Sequence, residues 1–270
     1  MPELPEVETT RRGIAPHVTG RRVERVLVRQ PSLRWPVSEH LGQSLTGQRI
    51  ASVDRRGKYL LIVTAGGRMM VHLGMSGSLR VLPAGVPPEA HDHIDVALDD
   101  GRVLRYRDPR RFGSVFWLDG DNSHPLLADL GPEPLSDAFD GDFLYRAARG
   151  RKSAVKTFIM NSRIVVGVGN IYANEALFEA GILPSRQAGR IARTRYEALA
   201  CAIKDVLGRA IAAGGTTLRD FVQEDGSPGY FRADLRVYGK GGLPCVRCGD
   251  PLREVRLGQR STVYCRGCQR

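Results

Sequence analysis

Two stretches near opposite ends of the chain carry residue types whose spacing can do chemistry. The first is Met1-Pro2-Glu3-Leu4-Pro5-Glu6. Loss of the initiator Met1, which a small second residue favours, leaves Pro2 with a free secondary amine. A chain-terminal amine titrates near about 7.7–8.0 and a lysine ammonium near about 10.4, so roughly 300-fold more of the former is neutral at pH 7. Proline's greater basicity narrows that gain. A neutral amine attacks an electrophilic carbon and forms a Schiff base. From a secondary amine the product is an iminium with no nitrogen proton to lose, so it stays charged and draws electrons. Glu3 could protonate a leaving group, and Glu6 could orient it. The same residues also read as a capped helix, with Pro5 in its first turn, Glu6 and Glu8 at its positive end and Arg11 and Arg12 near its other end. Taken alone they leave both readings open.

The second stretch is Cys245-x-x-Cys248 and Cys265-x-x-Cys268, separated by 16 residues. Four soft thiolates at this spacing suit one tetrahedral zinc ion, and four protein ligands leave no open position for catalysis. A short polar segment of this kind takes much of its folding energy from the metal. Two disulfides are the alternative, disfavoured in a reducing compartment. The fifth cysteine, Cys201, lies off an apolar stripe and reads as a packed thiol.

These residues need a scaffold, and 270 residues allow one large or two modest domains with a small appendage. The chain shows no signal-like apolar run and no stretch long enough to span a membrane, so a cytoplasmic location is expected. A net charge of +11 points to a polyanionic partner. Residues 236–270 hold eight Arg/Lys against two Asp/Glu, a net of +6. Short Val/Ile/Leu/Tyr-rich runs at 21–29, 48–54, 58–64, 68–73, 78–82, 93–99, 102–106 and 114–118 predict about eight strands in a sandwich or barrel-like domain, with helix 5–13 against it. Asp99-Asp100-Gly101 reads as a hairpin turn. Beyond Gly131-Pro132-Glu133-Pro134 the pattern turns helical, over 142–149, 153–160, 170–180 and 189–213. Asn170, after Val166-Gly167-Val168-Gly169, is placed to cap its helix. The glycines there either admit a phosphate to a helix N-terminus or form a plain turn.

Seven segments in order, PELPEVET at 2–9, HLGMSGSL at 72–79, RYRDPRRFG at 105–113, GPEPL at 131–135, VGVGNIYANEALF at 166–178, GGTTLRDF at 214–221 and QR at 259–260 within the cysteine finger, resemble the bacterial formamidopyrimidine-DNA glycosylases. The resemblance implies an α+β chain in three domains. These are an N-terminal β-sandwich with flanking helices (1–130), a helix-two-turn-helix domain (131–235) and a four-cysteine zinc finger (236–270). It implies a monomer acting on double-stranded DNA that contains oxidised purines, with Pro2 as nucleophile, Glu3 as proton donor and acceptor, Lys58 assisting β-elimination and Arg260 assisting δ-elimination. His91, Arg110, Arg151, Lys156 and Asn170 would contact DNA, the last two at phosphates. Met75, Arg110 and Phe112 would fill the void left by an everted nucleotide, with Arg110 reading the orphaned cytosine. Residues 223–230 match a loop that closes over the lesion. Two departures, a polar start to NSRIVVGVGN and Lys240 where arginine is usual, do not touch this chemistry. The endonuclease VIII relatives, which act on oxidised pyrimidines, are the nearer alternative; the PELPEVET start and the complete Met-Arg-Phe trio argue against them. A non-catalytic zinc-ribbon nucleic-acid-binding protein is the more distant one, and it gives no role to Pro2, Glu3 or Phe112.

Overall fold

A computed structural model describes residues 2–120, 124–215 and 234–270; the 223–230 loop lies outside them. The chain divides into two compact units, one built on Met1–Ala128 and the other on Asp129–Ala213 with the C-terminal finger.

The first unit opens with helix α1 (Leu4–Val18), followed by strand β1 (Val23–Val28) and the short helix α2 (Leu41–Leu45). Seven strands follow: β2 (Ile50–Arg56), β3 (Tyr59–Thr64), β4 (Gly67–His72), β5 (Ser78–Pro83), β6 (Asp92–Leu98), β7 (Arg102–Arg107) and β8 (Ser114–Asp119). A one-turn helix, α3 (Pro125–Ala128), closes this stretch, and Gly214 and Gly215 return to the same unit. The strands form two antiparallel four-stranded sheets, in the orders β1-β6-β7-β5 and β2-β3-β4-β8. Alternation with period two sends Ile94, Val96 and Leu98 of one sheet and Leu60, Ile62 and Val71 of the other into a shared core. The expected sandwich is therefore present.

Helix α1 runs five residues beyond its expected end at residue 13, through Gly13 and Pro16. Its apolar residues Val7, Ile14 and Val18 belong to that same core, and burial of the last two outweighs the local breakers. The helix is also tied to β2. Glu8 accepts from Arg11 and Arg12 on its own helix and from Arg55 Nε at 3.1 Å, while Arg11 donates to the Val53 carbonyl at 3.2 Å. Burial would raise the Glu8 pKa, but hydrogen bonds and charge from Arg11, Arg12 and Arg55 prevail and hold it down near about 2.

The second unit contains α4 (Gly141–Ala148), α5 (Val155–Ile159), α6 (Asn170–Glu179) and α7 (Arg193–Ala212). A single 3-10 turn at Ala188–Arg190 precedes α7, so the helix begins later than residue 189. Every residue of α6 from Ile171 to Phe178 is buried, as befits a helix enclosed on all sides. The finger ends the chain with a hairpin, β9 (Arg253–Leu257) and β10 (Arg260–Tyr264), over a small core of Phe178, Val237, Leu252 and Val263 with Cys245 and Cys265. Among the described residues no helix is long and apolar enough to cross a membrane.

The Glu8 cluster gives a pH-dependent prediction. A carboxylate whose folded pKa lies below its unfolded value stabilises fully above about 4.5 and loses that contribution as pH falls towards 2. Glu8→Gln should cost on the order of 2 kcal/mol at pH 7. In urea titrations the gap from wild type should narrow steadily below pH 4.5; a gap independent of pH would show that the ion pairs contribute nothing.

Candidate active site and metal centre

Pro2 is buried immediately before α1, and Glu3, 3% exposed, is the N-cap residue of that helix. The Glu3 N–H donates to Glu6 Oε2 at 2.8 Å, half of a capping box that fixes the entry into the helix. Glu6 is fully buried. Gly215, with φ +82°, passes so close that a Cβ there would lie 3.3 Å from the Glu6 side chain. The two readings of the N-terminal stretch are thus compatible: it is a capped helix, and the cap presents Pro2 and Glu3 together at the positive end of a helix dipole.

Lys58 follows Gly57, a left-handed residue in the β2–β3 turn whose carbonyl accepts from Arg55 Nη1 at 2.9 Å. Because Arg55 also holds Glu8, one guanidinium links the Lys58 turn to the proline helix. His72, given no role from sequence, closes β4 beside this turn. Its ring lies 5.0 Å from Tyr59, and burial, then the charges of Lys58 and Arg34, push its pKa down to about 4. It is therefore neutral near pH 7, and Nδ1 accepts the Gly74 N–H at 3.0 Å. Only its place in HLGMSGSL could have flagged it.

Met75 sits on the loop after β4, and Arg110 and Phe112 sit on the loop before β8. The Arg110 guanidinium lies 4.9 Å from the centre of the Phe112 ring, which remains 44% exposed. An aromatic ring left open on a loop and stacked by a cation is an unusual element of a core and an apt wedge. The structure brings His91 to the same place, since its carbonyl accepts the Asp108 N–H at 3.1 Å. Among the described residues three non-glycine residues have positive φ, His91 (76°), Arg111 (54°) and Gln259 (60°). The first is itself an expected DNA contact, and the others adjoin Arg110, Phe112 and Arg260. Such backbone costs energy and collects at functional sites.

In the second unit Arg151 is exposed between α4 and α5, with its carbonyl tied to the Gly189 N–H at 3.0 Å. The expected cap is corrected: Gly169 is the N-cap of α6, and Asn170 is its first helical residue. The Asn170 amide oxygen is buried with no hydrogen-bond partner, because an N1 side chain cannot turn back onto the first N–H groups as an N-cap side chain does. Lys156, expected at a phosphate, is 1% exposed. Its ammonium donates to the Ser261 carbonyl and to Thr262 Oγ1, both at 2.7 Å. A buried ammonium needs such acceptors, and these directly follow Arg260 at the start of β10. Lys156 is thereby a support of the finger hairpin.

The four thiols fit a single ion. Their sulfurs all lie within 4.8 Å of one another, with Cys245–Cys268 at 3.9 Å and Cys248–Cys265 at 3.4 Å. Tetrahedral zinc with about 2.3 Å bonds places its sulfurs about 3.8 Å apart. A disulfide needs about 2.05 Å, so the alternative pairing is absent. The Arg247 N–H points at Cys245 Sγ from 3.4 Å, a contact that favours thiolate.

A sandwich with a proline-led helix, a helical domain and a thiolate finger defines the zinc-finger class of DNA glycosylases. Family models agree along the chain. The formamidopyrimidine-DNA glycosylase N-terminal domain matches residues 1–115, its H2TH domain 130–222, and the zinc finger found in FPG and IleRS 242–270. The formamidopyrimidine-DNA glycosylase of Stenotrophomonas maltophilia K279a is 60% identical over 270 residues, all of both chains. The crystal structure of the MutM (Fpg) protein from Thermus thermophilus superposes with a TM-score of 0.89 at 40% identity, covering 99% of this chain and 98% of that one. Lactococcus lactis Fpg, in complex with DNA containing an abasic site, gives 0.91 at 32% identity with 99% of each chain covered. The chain belongs to the formamidopyrimidine-DNA glycosylase family.

With so small a core, the finger should depend on its metal. Chelation or Cys248→Ala should unfold it and abolish DNA incision while circular dichroism still reports the sheets. A zinc-free variant that cuts at the wild-type rate would contradict this assignment.

Proposed function

We propose that this chain is a bifunctional glycosylase and abasic-site lyase of base-excision repair, which removes 8-oxoguanine and formamidopyrimidines from duplex DNA through Pro2. The observation that carries the reading is the placement of Pro2 and buried Glu3 together at the head of α1 in a chain of this family. A base inside a duplex is out of reach, so the nucleotide is first everted. With Met1 removed, the Pro2 nitrogen attacks the sugar C1′ and the N-glycosidic bond breaks. The base leaves with a proton, and Glu3 supplies and accepts protons as the sugar ring opens to the iminium. That cation draws electrons and makes the C2′ hydrogen acidic. Its loss expels the 3′ phosphate with assistance from Lys58, and a second elimination, assisted by Arg260, expels the 5′ phosphate. The product is a one-nucleotide gap with phosphate on both sides.

Residues 1–130 carry the reaction, and the segments 131–235 and 236–270 grip the duplex. Arg151 and the exposed end of the finger meet phosphates, and Asn170 does the same with its side-chain NH2 as the donor. Lys156 acts through Arg260's hairpin. Met75, Arg110 and Phe112 fill the void, and Arg110 reads the estranged base, which gives a preference for lesions opposite cytosine. Retention of all three side chains speaks for oxidised purines over oxidised pyrimidines. The protein works as a cytoplasmic monomer.

Borohydride with lesion-containing duplex should trap a covalent adduct at Pro2, and Pro2→Gly should reduce its yield severely. Full yield in that variant, or active protein whose Met1 is intact, would overturn the nucleophile. Neutralising about four phosphates should weaken binding roughly hundredfold between about 50 and 200 mM salt. A flat anisotropy titration across that range would remove the electrostatic grip.

A further inference from the structure

The trio of void-filling side chains stands on two separate loops, and one buried carboxylate joins them. Asp108 is fully buried and makes no ion pair among the described residues. Neutral donors hold it from both loops. Ser76 Oγ, from the Met75 loop, donates to Oδ1 at 2.8 Å. The Gly113 N–H donates to Oδ2 at 2.8 Å, and Tyr106 OH reaches the same oxygen from below at 3.1 Å. The Arg110 N–H is shared between Ser76 Oγ at 3.2 Å and Asp108 Oδ1 at 3.3 Å. Behind the carboxylate, His93 Nε2 meets the Asp108 carbonyl at 2.8 Å. Ser76 therefore bridges the loops: its hydroxyl donates to the carboxylate and accepts from the residue that reads the opposite base.

The backbones are joined as closely as the side chains. A Cβ on Gly74, whose φ is +66°, would lie 2.4 Å from Gly113 N and from the Phe112 carbonyl carbon. One on Gly113 would lie 1.9 Å from the Tyr106 hydroxyl. Burial, and then the Asp108 charge, drive the Tyr106 pKa far upward, so its phenol stays protonated and donates. A buried charge without a cation is tolerated only when its lone pairs are filled, and here the donors that fill them come from the two wedge loops and the strand beneath.

We infer that Ser76 and Asp108 are positioning residues that make Met75, Arg110 and Phe112 a single rigid wedge, so that void filling and recognition of the opposite base occur in one fixed register. The inference rests on the glycosylase reading above. Were the loops independent, Phe112 could enter the stack while Arg110 missed the orphaned base, and preference for the opposite base would fall.

Asp108→Asn puts an amide donor against donors and risks misfolding, so the decisive variant is Ser76→Ala, with Tyr106→Phe as control. Tyr106→Phe removes a hydrogen bond from the same carboxylate but leaves the bridge between loops intact. Single-turnover excision of 8-oxoguanine is measured opposite cytosine and opposite adenine, beside incision of a ready-made abasic site. Ser76→Ala should slow excision opposite cytosine at least tenfold and shrink the cytosine-to-adenine ratio at least threefold, with a smaller loss on the abasic site. Tyr106→Phe should keep the wild-type ratio. Equal losses on all three substrates, or an unchanged ratio in Ser76→Ala, would overturn the inference. Amide hydrogen exchange without DNA reads the clamp independently. Ser76→Ala should speed exchange in 73–77 and 108–113 together, and no change in either loop would overturn the clamp whatever the activity. A wild-type protein inactive on every duplex would instead overturn the glycosylase reading and leave the exchange result to decide the clamp.

Discussion

The Glu8 carboxylate, held between Arg11, Arg12 and Arg55, fixes what chain ends ordinarily lack, a defined position. Termini fray because few contacts oppose their conformational entropy. The nucleophile proposed on residue 2 therefore needs a helix that cannot swing. Apolar burial of Val7, Ile14 and Val18 seats α1 on the sandwich, but apolar contact is non-directional and permits sliding. The guanidinium of Arg55 adds direction, since it reaches Glu8 on one side and the Gly57 carbonyl on the other. The proline helix and the lysine turn thereby share one reference point. The Glu3–Glu6 capping box extends that order to the first peptide bond of the helix.

The same logic recurs in the second unit with different chemistry. The finger has little apolar core, so buried polar groups of α6 hold it. Glu175 accepts N–H bonds from Arg236, Val237 and Tyr238 at 2.7–2.9 Å, and Asn174 accepts that of Val263 at 2.9 Å. Glu179 pairs with Arg209, Arg236 and Arg247, and the last also stacks 4.5 Å from the centre of the Phe178 ring. Zinc folds the knuckles, whereas these bonds dock the hairpin that bears Arg260. Buried carboxylates also offset part of a strongly basic chain from within, while cations such as Arg151 stay exposed.

Local patterns were legible and distant partners were not. Short Val/Ile/Leu/Tyr-rich runs, several of them alternating with period two, point to all eight strands of the sandwich because each strand contributes to a common core. The cysteine spacing located the thiolate cluster because tetrahedral ligation demands two short knuckles. The local pattern of helix α1 ends too early, since the burial of Ile14 and Val18 that carries it past Gly13 and Pro16 depends on strands far along the chain. Asn170 looked like a cap because Asn often is one, but the turn makes Gly169 the capping residue. Lys156 is expected at a phosphate from the resemblance, and its burial is not legible because its acceptors lie 105 and 106 residues away. Asp108 was hidden for the same reason, as its partner Ser76 is separated from it by 32 residues.

These long-range polar bonds also explain how strained backbone persists where the site needs it. A left-handed residue with a Cβ costs roughly 1–2 kcal/mol relative to glycine. Arg111 adopts that conformation between two side chains of the wedge, and Gln259 adopts it directly before Arg260. Glycine would relieve the strain but widen the range of accessible loop conformations. With side chains at these positions, each loop has fewer alternatives to its native path, and the surrounding bonds to Asp108 or from Lys156 oppose the strain. Both tips therefore hold their reversed backbone against a rigid base rather than by their own preference. That arrangement suits the duplex contacts proposed for these side chains, because a loop that ordered only on contact would lose affinity to its own entropy.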